Sequence, residues 1–168
     1  MTITVTDSVD ESGALELWPV YDAVFGDQPD LGTWRSAVWD RHVTRPGFRL
    51  ARAHHSSDLV GFAYGYTGER GQWWSDRAVD ALPPDVADEW IGGHFELVSI
   101  GVLPAARGGG LGARLMTELT TGLPHERRVL MTTADAADPA RRLYASHGWV
   151  VIGPGLRDDQ VIMGRLRG

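Results

Sequence analysis

An apolar, β-branched run, Phe95-Glu-Leu-Val-Ser-Ile-Gly-Val-Leu-Pro104, leads straight into Arg107-Gly-Gly-Gly-Leu-Gly-Ala113, and leucines then recur at Leu111, Leu115, Leu119 and Leu123. The first stretch predicts a strand, the glycines a loop whose backbone a ligand can approach closely, and the leucine spacing an amphipathic helix. Strand end, glycine loop and helix start therefore adjoin. At such a junction several amide N–H groups lack intrahelical partners and the helix dipole is positive, so a di- or triphosphate can be held without a lysine. Arg107 adds a forked, permanently charged donor at the rim.

Three kinds of phosphate loop compete for this pattern. A nucleoside-triphosphate loop closes on Gly-Lys-Ser/Thr, whereas Gly112 is followed by Ala113 and Arg114, and all 16 basic residues of the chain are arginine. A dinucleotide fingerprint can be laid over Gly108, Gly110 and Ala113 with Asp135 as the ribose acid, which would make the protein a nicotinamide-binding reductase. That fingerprint normally opens a βαβαβ unit, and residues 114–168 are short for the rest of a doubly wound sheet. The third pattern, Arg-x-x-Gly-x-Gly/Ala, is met by Arg107, Gly110 and Gly112.

Here the chain resembles the GNAT superfamily of acyl-coenzyme A-dependent N-acetyltransferases, in which this motif binds the coenzyme pyrophosphate. The likeness continues through Arg128-Val-Leu-Met-Thr-Thr-Ala134, a further strand, and Asp138-Pro-Ala-Arg-Arg-Leu-Tyr-Ala-Ser-His-Gly-Trp149. In that second block Pro139, Ala140, Leu143, Tyr144, Gly148 and Trp149 match the family pattern one by one. Asp138 stands where many members carry Asn; either residue can cap the helix that Pro139 begins. The resemblance implies an α/β (α+β) fold of one domain over residues 1–168: a mixed, strongly twisted sheet of six to seven strands with helices on both faces, splayed between the fourth and fifth strands.

Length and composition bound the alternatives. At 168 residues the chain suffices for one well-buried domain, and 43% hydrophobic with 23% charged residues is an ordinary folded composition. A net charge of −6 argues against nonspecific nucleic-acid binding, which needs a basic surface. With no cysteine there is no disulfide, thiolate metal site or cysteine nucleophile. No apolar run reaches membrane-spanning length and the first residues carry no basic, apolar leader, so a cytoplasmic protein without membrane attachment is expected.

Along the chain, Ile3 and Val5 mark a first strand. Leu17, Trp18, Tyr21, Val24 and Phe25 mark a helix that contains Pro19 if it begins near Ser12. Leu31, Trp34, Val38 and Trp39 predict a second helix ending before Arg45. Residues 48–54 and 59–66 predict a hairpin about a Ser56-Ser-Asp58 turn, with Phe62, Tyr64 and Tyr66 on one face. Residues 67–94 form a long insert with Trp73, Trp74 and Trp90, in which residues 85–90 suit a helical turn and the tryptophans suit either a sheet-edge cap or a substrate wall. Residues 150–152 and 160–166 close the chain as strands.

The resemblance assigns chemistry to particular positions. Glu96, where several members carry a catalytic glutamate, is the expected base, and a carboxylate between Phe95 and Leu97 is expected to hold its proton more tightly than usual. Its alternative is a solvent-facing strand residue. Tyr144 is the expected acid toward the coenzyme sulfur, with core packing as its alternative. A backbone N–H near Ile100 would serve the oxyanion, and Val102 would pair with the pantetheine arm. Arg107, Gly108, Gly109, Gly110, Leu111, Gly112 and Ala113 would hold the pyrophosphate, and Asp138 occupies the position of a coenzyme contact. Acetyl-CoA is thus the implied acyl donor, passing an acetyl or short acyl group to a primary amine in a ternary complex. The alternative is a non-catalytic acyl-CoA sensor. His54 and His55 are adjacent on one strand and cannot chelate together, His94 shares a strand face with Glu96, and no metal is expected. The acceptor is open: a peptide N-terminus, polyamine, aminoglycoside or small metabolite. A homodimer is compatible with the resemblance.

Overall fold

The computed structural model describes every residue from Met1 to Gly168. Its strands form one seven-stranded sheet of order β1-β2-β3-β4-β5-β7-β6, accompanied by six helices. Strand β1 (Thr2–Thr6) pairs antiparallel with β2 (Arg49–His55), Thr2 lying opposite His54. Strand β3 (Asp58–Gly68) returns antiparallel on β2, and Ser56 in the turn adopts φ 55°. Strands β4 (His94–Val102) and β5 (Arg127–Thr133) are parallel, with two registered pairs, Phe95 opposite Arg128 and Glu96 opposite Val129. The last two strands, β6 (Val150–Pro154) and β7 (Gln160–Leu166), are antiparallel to each other, and β7 is antiparallel to β5. The mixed sheet expected from the sequence is the one found.

The chain gathers into two compact units, Met1–Tyr66 with Val98–Leu123 and Thr67–Leu97 with Pro124–Gly168. In the first, helix α1 (Ser12–Phe25) starts early enough to enclose Pro19, which removes one backbone donor, and it ends at Gly26 in the left-handed conformation. Helix α2 (residues 31–42) is capped by Asp30, whose carboxylate accepts from Thr33 N–H at 2.7 Å, and is π-helical over Arg35–Trp39. An α-helix places residues five apart on different sides; the wider π turn lets Trp34 and Trp39 both face inward. Their rings stack at 5.1 Å and both are fully buried. Phe48, Leu50, Phe62, Tyr64 and Tyr66 complete this core. Helix α5 (Leu111–Thr120) packs on β1 and β2, and Leu115 lies where a Cβ on Gly61 would meet it at 3.1 Å.

In the second unit the insert is more ordered than the sequence indicates. Two helices occupy it, α3 (Trp73–Ala81) and α4 (Pro84–Trp90), the latter beginning on a proline as the fixed φ of that residue favours. Ala78, Leu82, Ala87, Trp90 and Ile91 pack with Val129 and Ile162. Gly164 exists for Trp90: a Cβ there would fall 2.6 Å from the indole ring. Of the three tryptophans, Trp90 is thus core, Trp74 is partly buried and Trp73 is 62% exposed. Helix α6 (Pro139–Ser146) follows β5. No helix is long and apolar enough to cross a membrane.

Candidate active site

The glycine loop lies in the first unit. A 3₁₀ turn at Pro104–Ala106 carries the chain out of β4, and Arg107 reaches back so that its Nε donates to the Val102 carbonyl at 2.9 Å. That bond fixes the guanidinium beside the strand end and leaves its terminal nitrogens for a ligand. Gly108 and Gly110 take φ of 88° and 74°, a region that glycine enters without strain. A Cβ built on Gly108, Gly109 or Gly110 would meet nothing within 4 Å, so open space runs along the loop. Gly110 caps α5 without a side chain, and the first intrahelical bond runs from Arg114 N–H to Gly110 O at 3.1 Å. The amides of Leu111, Gly112 and Ala113 therefore precede the hydrogen-bonded ladder at the positive end of the helix dipole. Buried Leu111, Leu115 and Leu119 anchor the helix below. A pyrophosphate fits this donor set: backbone N–H groups without side-chain competition, open space, and one tethered guanidinium.

Ile100 and Val102 lie on the part of β4 that belongs to this unit, both half-buried. Between them Gly101 is closely covered, since a Cβ there would sit 3.3 Å from Phe62 and 3.4 Å from Phe25 and Val24.

Glu96, Tyr144 and Asp138 lie in the second unit. Glu96 is 5% exposed, which removes the solvent-facing alternative for it. Tyr144, on α6, is also buried, its ring 6.3 Å from that of Trp149. Burial, reinforced by the negative charge of Asp138, pushes its hydroxyl up to about 12, so it keeps its proton throughout the neutral range. Asp138 caps α6, its carboxylate accepting from Ala140 N–H at 2.8 Å and Arg141 N–H at 3.4 Å.

His94 is 1% exposed, and its Nδ1 accepts from Gly92 N–H at 3.1 Å. Burial, with a smaller contribution from nearby His125, depresses its pKa to about 4. His125 is half-buried, its Nε2 2.8 Å from Thr67 Oγ1 and its ring edge-on to Phe95. The nearness of His94 and His125 is invisible locally because the parallel pairing of β4 with β5 creates it. No group of three or more His, Asp or Glu side chains is disposed to hold a metal.

Comparison with known proteins bears on the family and the fold. The family model described as "Acetyltransferase (GNAT) family" matches residues 15–149. A GCN5-like protein acetyltransferase of Mycobacterium tuberculosis is 28% identical over 149 residues, covering 71% of this chain and 72% of that one. Among solved structures, an aminoglycoside 6'-acetyltransferase type Ii superposes with a TM-score of 0.67 at 17% identity, covering 99% of this chain and 97% of the other. The ribosomal-protein-S18-alanine N-acetyltransferase of Escherichia coli superposes with a TM-score of 0.64 at 18% identity, covering 98% and 94%. At those identities the structures attest the fold, while the family model spans most of the chain: this protein is an acetyltransferase and belongs to the GNAT family.

Proposed function

We propose that the protein transfers an acetyl or short acyl group from acyl-coenzyme A to a primary amine by direct attack in a ternary complex. The observation that carries this reading is the uncapped, open glycine turn from Arg107 to Gly112, held against β4 by the Arg107–Val102 bond. In this reading the main-chain amides of Gly108 to Ala113 hold the pyrophosphate, Arg107 neutralises its outer face, and Val102 hydrogen-bonds the pantetheine arm in the manner of an added strand. Asp138 caps α6 through Oδ1 alone, and its negative charge would oppose a phosphate, so any coenzyme contact it makes would be to a hydrogen-bond donor of the coenzyme.

The reaction needs a neutral nitrogen nucleophile, stabilisation of the thioester oxygen as it gains charge, and a proton for the leaving sulfur. Glu96 takes the ammonium proton through a water molecule, and the amine lone pair then forms the C–N bond. A backbone N–H near Ile100 stabilises the oxyanion. As the C–S bond breaks, Tyr144 gives its proton to sulfur, and the amine's second proton restores the hydroxyl through solvent. The acceptor class rests on kinship alone: the relatives include acetyltransferases named for a protein alanine and for an aminoglycoside, both amines.

The deciding experiment is a panel of peptide N-termini, polyamines and aminoglycosides with acetyl-CoA, followed by thiol release. Turnover with one amine class, with one thiol freed per amide formed, supports the reading. Tight coenzyme binding with no turnover on any amine would instead favour an acyl-CoA sensor.

A further inference from the structure

Away from the glycine loop, the sheet ends on β6, which pairs with β7 on one side and with no strand on the other. Seven large hydrophobic side chains of the protein are exposed, and three of them gather here: Val150 at 58%, Val151 at 45% and, on β7, Leu166 at 57%. Val150 lies opposite Gly164, two residues before Leu166, so Val150 and Leu166 share a sheet face while Val151 points to the other. The first half of the edge is therefore apolar and open on both faces. A strand that must stay unpaired is usually blunted by charge, proline or a bulge. Strand β6, Val150-Val-Ile-Gly-Pro154, carries no charge. Its bulge between Val151 and Gly153, and Pro154 with no N–H to donate, blunt only the second half, where a Cβ on Gly153 would also fall 2.5 Å from Leu82.

Opposite charges stand without partners at the two ends of this strand. Arg165 follows Gly164 and so lies beside the start of β6, and a Cβ on Gly148 would be 3.5 Å from its Nε. The missing side chain lets Arg165 lean across the outermost strand toward the open edge. On its other flank the cross-strand neighbour is Arg128, and like charges directly opposite repel. No carboxylate answers Arg165, since the ion pairs of this unit are Arg70–Asp88, Arg157–Asp159 and Arg167–Glu126. At the far end, in the turn between β6 and β7, Asp159 is held by Arg157 at 3.4 Å, whereas exposed Asp158 has no cation.

An antiparallel, two-fold pairing of β6 with β6 of a second copy brings the Val150 end of each strand to the Pro154 end of the other. The apolar stretch then meets itself, and Arg165 of each copy approaches Asp158 of the other. One patch serves both partners, as a closed two-fold interface requires. We propose that β6 is a homodimer interface, a second copy of this chain adding its own β6 to the open edge so that the two sheets become continuous. The proposal does not depend on acetyl transfer, since none of these residues is assigned a part in it. An edge contact of this length is small, so monomer and dimer are in reversible equilibrium.

The test is sedimentation equilibrium of the intact protein across a concentration series, with melting temperatures as the control for folding. A monomer–dimer equilibrium is expected, and Val151→Lys, which places a charge on the open edge, should leave only monomer. Asp158→Arg and Arg165→Asp should each weaken the dimer about tenfold, an attraction being replaced by a repulsion. The double variant restores opposite charges and should recover most of the wild-type affinity, a rescue that mere destabilisation does not produce. A wild-type protein that stays monomeric up to about 1 mM overturns the proposal and leaves the edge to a strand from another protein. A dimer indifferent to Val151→Lys and to both charge reversals overturns it too, since the interface then lies elsewhere, as does a double variant no better than either single one. Should Arg165→Asp fail to fold, Val151→Lys and Asp158→Arg, both at exposed positions, still decide.

Discussion

Tyr144 is the residue on which the proposed chemistry is most exposed to test. A hydroxyl held near 12 by burial keeps its proton at neutral pH and so has one to give as the thiolate departs, at the cost of being a weaker acid than an ordinary tyrosine. Tyr144→Phe should lower kcat by about 10²-fold or more, with coenzyme affinity by calorimetry unchanged. Undiminished turnover in that variant would remove the acid role. Glu96→Gln should depress kcat/KM at neutral pH and steepen its rise toward alkaline pH, where the amine is already neutral; a parallel loss at all pH values would mean a structural carboxylate. Tyr144 and its neighbours were legible in the sequence because Pro139 to Trp149 is a contiguous block. His125 was not, because its environment depends on Thr67 and Phe95, brought to it by strands distant in sequence.

At the scale of elements, periodicity located nearly every strand and helix, and the misses have identifiable causes. The leucine spacing and the glycine turn gave α5 to within a residue or two, since Gly110 at φ 74° can only end one element and begin another. The π turn in α2 was not legible: Trp34 and Trp39 five apart fit no helical period, and only their stacking in the core reveals the insertion. Helix α3 was missed because its buried face is made by Ser75 and Ala78, residues with little apolar signal. Two substitutions test these elements. Asp138→Ala deletes both cap bonds of α6 and should cost about 1 kcal/mol, read as a lower urea midpoint. Gly164→Ala would drive a methyl into the Trp90 ring, from which it would be 2.6 Å away, and should cost about 1–3 kcal/mol as overpacking does. An unchanged midpoint in Gly164→Ala would mean that α4 moves freely off the sheet.

Across the whole molecule, each compact unit encloses a histidine held down to about 4, and this sets how the protein responds to acid. His42, in the first unit, is pushed down to about 4 by burial and by Arg45 and Arg41, with the Tyr64 hydroxyl 2.9 Å from its Nδ1. His94, in the second, is pushed down to about 4 by burial and by His125, beside the Trp74 ring. In the unfolded chain both rings bind a proton near the ordinary value of 6.5, whereas the folded chain refuses it until about 4. Between those limits the unfolded state holds more protons, so stability is full above 6.5 and falls as the pH drops toward 4. Each ring accounts for a loss on the order of 3 kcal/mol across that window. Carboxylates act lower: hydrogen bonds from His54 and Arg52 outweigh burial and keep Glu16 below its ordinary 4.5, so its contribution persists until the pH falls past that value. Urea unfolding from pH 7.5 to pH 4 should therefore show a midpoint that declines chiefly between 6.5 and 4, and His94→Asn should flatten the decline while lowering stability at pH 7. A midpoint constant down to pH 4.5 would show that neither ring is kept neutral by the fold.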